Sequence, residues 1–353
     1  MRVRPLPHLE ARQRVVCRLA GGVGGEHDPD PSRRVAARTV AGVILRSVEA
    51  ARLETQEAVL LAHALLSRLA EDVQARVLFI KGPTAVAVGA RPVRGSSDVD
   101  ALVEPTAFRK VCQALERCGW SLRTPLEPVR NGSGLALEHS AHYLHPDWPC
   151  DIDVHYLFPG FLAPPAQVFD RLWERRITVT LAGREVSSPD VLGQSLVVAL
   201  HALRDLASAH GRHDLEHLTG VLQGAGGERV RELVALADAT GAVDTARPLL
   251  TTLTCELPAP HRSTGLSDWE FRQRTMGVPG SLWLGELRRA GWRGRGSLLR
   301  QAVLPPRELM LSSHLATGAT RRQVLGLHLT RWRRGLRALP QALRSSRLDR
   351  RRR

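Results

Sequence analysis

Gly95-Ser96-Ser97-Asp98-Val99-Asp100-Ala101-Leu102-Val103 is the stretch whose reading decides the fold. From Asp98 polar and apolar residues alternate before the run turns apolar, the pattern of a strand. Residues two apart in a strand point to the same side, so Asp98 and Asp100 project together with Cα atoms about 6.5 Å apart, while Val99 packs behind them. Two carboxylates so placed can grip one divalent cation. Mg²⁺ suits them, because it takes one or two carboxylates, keeps some water and completes its octahedron with phosphate oxygens.

A second acidic strand follows at Asp151-Ile152-Asp153-Val154-His155, where Asp151, Asp153 and His155 share one face by the same alternation. Set beside the first strand, Asp153 supplies a third carboxylate. Three converging carboxylates admit two cations, one to activate an acceptor hydroxyl and one to neutralise a triphosphate and its departing pyrophosphate. A single Asp-x-Asp equally suits a solvated edge strand or turn; two of them, each set among apolar residues, favour a site.

Upstream, the apolar run Val77-Leu78-Phe79-Ile80 reads as a buried strand, and Lys81-Gly82-Pro83-Thr84 turns from it into a short helix with Pro83 at its first position. A strand-to-helix turn of this kind offers backbone N–H groups and the helix dipole to phosphate. The chain holds 48 arginines and only two lysines, Lys81 and Lys110, so an ammonium at this turn stands out. Arg94, four residues before Asp98, is a second candidate to steer a phosphate. A snorkelling lysine and a solvated arginine are the ordinary readings of the two.

Working outward, apolar residues recur at helical steps from Val35 to Ala75, Pro105 to Cys118 reads as a helix closed by Gly119, and Glu138 to Leu144 and Asp151 to Leu157 read as strands. Ile177 to Leu181 and Glu185 to Ser187 suggest a hairpin around Ala182-Gly183. Beyond Pro189 the pattern is helical: Asp190 to Ser208, Leu215 to Leu222, Val230 to Thr240, Thr245 to Cys255, Leu282 to Leu304 and Arg321 to Leu343. The expected organisation is a flexible lead-in at 1–34, a catalytic α+β domain at 35–188 with N-terminal helices, a helical domain at 189–343 and a basic tail at 344–353. His139, His142 and His145 alternate faces on a strand and do not make a metal cluster. His201, Asp205, Asp214 and His217 fall on or beside helices and suit either the lining of the cleft or, the slightly preferred reading, the capping and bridging of helices; Trp269, Trp283, Trp292 and Trp332 are read as core or interface anchors.

At 353 residues, with 43% hydrophobic and 24% charged residues, the chain falls in the soluble globular class. No apolar run approaches a signal peptide or the roughly 20 residues of a membrane helix, so a cytoplasmic protein with no membrane partner is expected. Five cysteines without a CxxC pair argue against a disulfide framework and a structural zinc site, and reduced, mostly buried thiols are the better reading. The net charge of +15 is concentrated at the C-terminus, where Arg331 to Arg353 carries ten arginines against Asp349 alone. Such a run can bind polyanions, although a solvated end is its commoner meaning.

The run from Phe79 to Val103, with Lys81-Gly82, Arg94 and Ser97-Asp98-Val99-Asp100, followed by Asp153-Val154-His155, resembles the uncharacterised nucleotidyltransferase family of the polymerase-beta superfamily. Leu200-His201-Ala202-Leu203-Arg204-Asp205 and Asp214-Leu215-Glu216-His217-Leu218 resemble its C-terminal part. The resemblance implies an α+β fold, with a polymerase-beta-like mixed sheet and flanking helices followed by a mostly helical C-terminal domain. It implies NMP transfer from an NTP, ATP first, to a hydroxyl or similar acceptor. Asp98, Asp100 and Asp153 would be the catalytic, Mg²⁺-binding carboxylates, and Lys81, Gly82, Arg94 and Ser97 would hold the phosphates. A peptide or small-molecule acceptor is favoured, with RNA as another, because such genes occur beside those for lasso peptides and other natural products. Two features depart from the superfamily: Pro83 follows Gly82 and removes a backbone donor, and the interval from Gly82 to Asp98 is longer than usual. The rival readings are a non-catalytic nucleotide or nucleic-acid-binding regulator, and an antitoxin-like or toxin-like nucleotidyltransferase acting on RNA or protein.

Overall fold

The structure is a computed structural model, and it describes residues 53–123, 140–205, 208–275, 287, 292–304 and 321–350. Five strands build a mixed sheet: β1 (Val77–Ile80), β2 (Asp98–Val103), β3 (Ser121–Leu122), β4 (Ser140–Leu144) and β5 (Asp151–His155). Their order is β1-β2-β5-β4-β3, with β2 and β5 parallel and the other neighbours antiparallel. Helices α1 (Thr55–Asp72), α2 (Gly82–Ala87), α3 (Phe108–Arg117) and α4 (Pro165–Glu174) accompany the sheet, and β6 (Arg176–Leu181) and β7 (Arg184–Pro189) form a separate hairpin. Then come α5 (Val191–Arg204), α6 (Ala209–Gly224), α7 (Gly227–Ala239), α8 (Arg247–Leu253), α9 (Thr264–Thr275), α10 (Trp292–Val303) and α11 (Arg321–Arg350). The chain is thus α+β, a mixed sheet with flanking helices followed by helices.

Strand alternation divides the core between the two faces of the sheet. Val77, Phe79, Val99, Ala101, Val103, Ile152 and Val154 pack with Ala58, Val59, Ala62 and Leu66 of α1 and Val111 and Leu115 of α3. Leu78, Ile80 and Leu102, on the other face, join a cluster with Phe158, Phe169 of α4, Leu196 and Leu200 of α5, Leu218 of α6 and Leu233 of α7. Helix α5 is apolar nearly all round, and 11 of its 14 residues are buried, as expected of a helix enclosed by neighbours on every side. Asp190 starts it, accepting a hydrogen bond from the Gly193 N–H at 2.9 Å.

The expected β1 and β2 lie where the patterning puts them, β5 and the hairpin differ only at their ends, and β4, described from Ser140, ends at Leu144 as expected. The helix expected from Pro105 begins at Phe108, because Glu104 to Ala107 closes a turn first, with the Ala107 N–H on the Glu104 carbonyl at 3.0 Å. The helix expected at Leu215 begins six residues earlier, at Ala209, capped by Ser208. Three elements were not expected, β3, α4 and α9. The earlier part of the helical pattern from Val35 lies outside the described residues, as do His139 and Trp283. Among the described cysteines Cys112 and Cys150 are buried, whereas Cys118 and Cys255 are exposed.

Candidate active site

The parallel register of β2 and β5 builds the site. Asp98 lies opposite Asp151, Asp100 opposite Asp153, and Leu102 opposite His155, so two acidic ladders run side by side on one face. Asp100, Asp153 and His155 are buried, and each offers a ligand atom within 4.8 Å of the others. His155 Nε2 lies 3.2 Å from Asp100 Oδ1 and 3.0 Å from Asp153 Oδ2. From β4, paired in register with β5, His142 Nδ1 reaches Asp153 Oδ2 at 3.5 Å. Asp153 Oδ1 is buried and has no hydrogen-bond partner. A buried carboxylate oxygen in that state is costly unless something is meant to bind it.

On the other side of β2, Ile80 pairs with Asp100, which sets the following residue, Lys81, beside the acids. Its Nζ lies 2.7 Å from Asp100 Oδ1 in a buried ion pair, and 5.8 Å from the centre of the Phe158 ring. Lys81 adopts φ +57°, a left-handed conformation costly to a residue with a Cβ. Gln194 of α5 secures it. Its Oε1 accepts the Lys81 N–H at 2.9 Å, while Nε2 donates to the Phe79 carbonyl, the Thr84 hydroxyl and the Ser188 hydroxyl. Gly82 follows at φ +43°, and a Cβ there would come within 3.3 Å of Ser96 Oγ.

These surroundings set the charge states. Burial pushes the Asp100 carboxyl up, but Lys81 and then His155 outweigh it and hold it below the usual carboxylate range. Burial likewise opposes ionisation of Asp153, which His155 brings below the usual range. His155 is raised despite its burial, because both carboxylates favour its cation. Asp98 moves the other way, pushed up first by burial and then by Asp100. Lys81 and His155 thus sit among the carboxylates in one compact network of short contacts.

The residues expected to hold phosphate are distributed unevenly about this network. Lys81 and Gly82 border it. Ser97 is exposed, and its neighbour Ser96 turns a hydroxyl to the Asp98 carboxylate at 3.2 Å. Gln56 of α1 fixes that loop, bonding both the Ser96 N–H and its carbonyl at 3.1 Å. Arg94 is drawn to Asp214 of α6, 2.8 Å from Oδ2, where Arg91 also binds. Arg94 NH1 and Asp214 Oδ1 are buried without partners. His217 bonds the Gly89 carbonyl at 3.0 Å, so Asp214 and His217 both tie α6 to the loop that precedes the acids.

His155, Ser96 and Gln194 were missed as site residues. For His155 the signal existed, since alternation along β5 already put it on the Asp153 face. Gln194 too could have been found, as a lone amide within the apolar run Leu192-Gly193-Gln194-Ser195-Leu196 has to be buried and needs partners.

Residues 30–248 match the model of a family described as uncharacterised nucleotidyltransferase. Similar solved structures include the lincosamide antibiotic adenylyltransferase LnuA with lincomycin bound, 16% identical over 45% of this chain and 94% of that one, with a TM-score of 0.29. An antigenic nucleotidyltransferase-like protein from Paracoccidioides brasiliensis is 12% identical over 58% and 96% of the two chains, TM-score 0.37. The antibiotic-resistance factor ANT(2'')-Ia is 14% identical over 56% and 99%, TM-score 0.35. No curated protein matches the chain.

Proposed function

The chain belongs to the uncharacterised nucleotidyltransferase family, and from that premise we propose that it transfers NMP from an NTP, ATP first, to a hydroxyl or similar acceptor with Mg²⁺-dependent release of pyrophosphate. The observation that carries this reading is the in-register pair Asp100 and Asp153, buried on adjacent parallel strands with Asp153 Oδ1 unpartnered. Those atoms fit a divalent cation: two hard carboxylates are a Mg²⁺ donor set, and His155 adds an imidazole that Mn²⁺ also accepts. Asp98, one strand repeat along, extends the set toward a second ion. When bound, the cations would neutralise the triphosphate and lower the pKa of the acceptor hydroxyl.

The chain's own residues would do the rest. Asp153 orients the acceptor hydroxyl for in-line attack on the α-phosphorus and accepts its proton; the new P–O bond forms as the bond from the α-phosphorus to the bridging oxygen breaks, and that oxygen leaves with pyrophosphate. Lys81 gives up Asp100 Oδ1 and turns its ammonium to a phosphate oxygen. Gly82 lets that oxygen approach the backbone, with Ser97 at the mouth of the loop and Arg94 released from Asp214 to meet the outer phosphates. Within the family resemblance, a peptide or other natural product is the first acceptor to try.

The test is incubation of the purified protein with each α-labelled NTP and Mg²⁺, with and without candidate acceptors, beside the double variant Asp98→Ala, Asp100→Ala. Metal-dependent pyrophosphate release or label transfer is expected from the native chain and not from the variant. Equal activity in both would remove the carboxylates from the mechanism. NTP binding without transfer to any acceptor would favour a nucleotide sensor.

A further inference from the structure

Helix α11 carries nine arginines and one acid, Asp349, over 30 residues, a length of about 45 Å. Its apolar residues are not all used in packing. Leu325, Leu329 and Leu336 are 56%, 44% and 70% exposed. At 3.6 residues per turn these three fall within about 40° of one another, with Arg322, Arg333 and Arg337, all exposed, on the flank beside them. Leu327 and Trp332 are half-buried, and the Trp332 indole N–H donates to the Val303 carbonyl of α10 at 2.7 Å. Helix α10 and the residue after it expose apolar surface of their own: Leu299, Val303 and Leu304 are each about half exposed or more, and Trp292 is 78% exposed.

We propose that α10 and α11 form a docking surface for an anionic phospholipid bilayer, with α11 lying in the plane of the headgroups. Charge complementarity selects this occupant. A helix with a leucine stripe bordered by arginines sinks the leucines into the boundary between headgroups and acyl chains while the guanidiniums reach the lipid phosphates. A nucleic acid would engage the arginines and leave the leucines and Trp292 in water. A second copy of the chain would bring two strongly cationic helices together. In the sequence a basic end reads as solvated because charge runs commonly are, and the expectation of no membrane partner comes from the lack of a spanning segment. No described helix is long and apolar enough to cross a membrane, but lying on a surface is governed by exposed area and flanking charge instead.

The experiment is flotation of the full chain with vesicles of phosphatidylcholine alone or with about one third phosphatidylglycerol. Native protein is expected to float with the anionic vesicles only. The triple variants Leu325→Ser, Leu329→Ser, Leu336→Ser and Arg322→Gln, Arg333→Gln, Arg337→Gln should each bind at least about tenfold more weakly. All six positions are exposed, and unchanged far-ultraviolet circular dichroism would confirm that folding is intact. No flotation, or a serine variant that floats as the native chain does, would overturn the proposal. So would tighter binding to poly(U) than to vesicles at equal salt, unaffected by the serine changes, which would assign the surface to nucleic acid. The nucleotidyl-transfer assay is independent of every one of these outcomes.

Discussion

In the proposed transfer Lys81 would serve two partners that compete for it. Its ammonium neutralises Asp100 in a buried pair at 2.7 Å, yet the proposed transfer needs both the carboxylate for a cation and the ammonium for phosphate. Breaking a buried pair from one side leaves a charge uncompensated, at a cost of about 3–5 kcal/mol; His155 stays beside Asp100 and should keep Lys81→Met near the lower end. If the carboxylates are a cation site, a divalent ion can supply the missing charge. Urea denaturation of Lys81→Met is therefore expected to show a loss of about 3 kcal/mol in chelator, much of it recovered on adding Mg²⁺ or Mn²⁺. A loss of the same size with and without the ion would disconnect Lys81 from cation binding.

At the scale of elements, the site is a joint between two strands and a helix distant in sequence. The patterning rendered β1, β2 and β5 well, because apolar runs and alternation depend on which face meets the core, and here both acidic strands have one apolar face. It missed α4, which received no reading, although Pro165 stands at the helix start that proline favours. The choice of Ser96 over Ser97 could not be read, since the loop before β2 has no periodicity and its orientation is set by Gln56 across 40 residues. Nor could the pairing of Lys81 with Asp100 be read, because it follows from a left-handed backbone that Gln194 secures from α5. That last contact is testable. Gln194→Leu strands the buried Lys81 N–H, worth about 1–3 kcal/mol when unsatisfied, and takes one of two partners from the Phe79 carbonyl, which keeps the Thr84 hydroxyl, and from the Ser188 hydroxyl, which keeps the Pro189 carbonyl. Some of that loss falls on stability. If the amide also positions Lys81, kcat/KM for the NTP should fall about tenfold or more even well below the variant's melting temperature. Stability lost with kcat/KM unchanged would make Gln194 a structural residue only.

At the scale of the whole molecule, the change from strands to helices near Ser188 is a change of element type across which the apolar core continues. Leu78, Ile80 and Leu102 of the sheet share one cluster with Leu196, Leu200 and Leu203 of α5 and with residues as far along as Trp269. Helix α5 is the pivot: its apolar residues close the sheet face that carries the acids, and its Gln194 holds the lysine turn. A chain ending at Ser188 would expose Leu78, Ile80, Leu102, Phe158 and Phe169 to water together, and would leave Lys81 without its amide. Burial of such side chains is worth about 1.5–3 kcal/mol each, against a total stability of about 5–15 kcal/mol for a domain, so the loss of five exceeds what the remaining core can carry. Residues 53–188 alone are therefore expected to bind a hydrophobic dye and to unfold without a cooperative transition, while 53–275 keeps one. A cooperative transition in the shorter chain would show that the α1 and α3 face of the sheet suffices to fold the acidic strands, and that the helices beyond Ser188 contribute to the site only through Gln194 and Asp214.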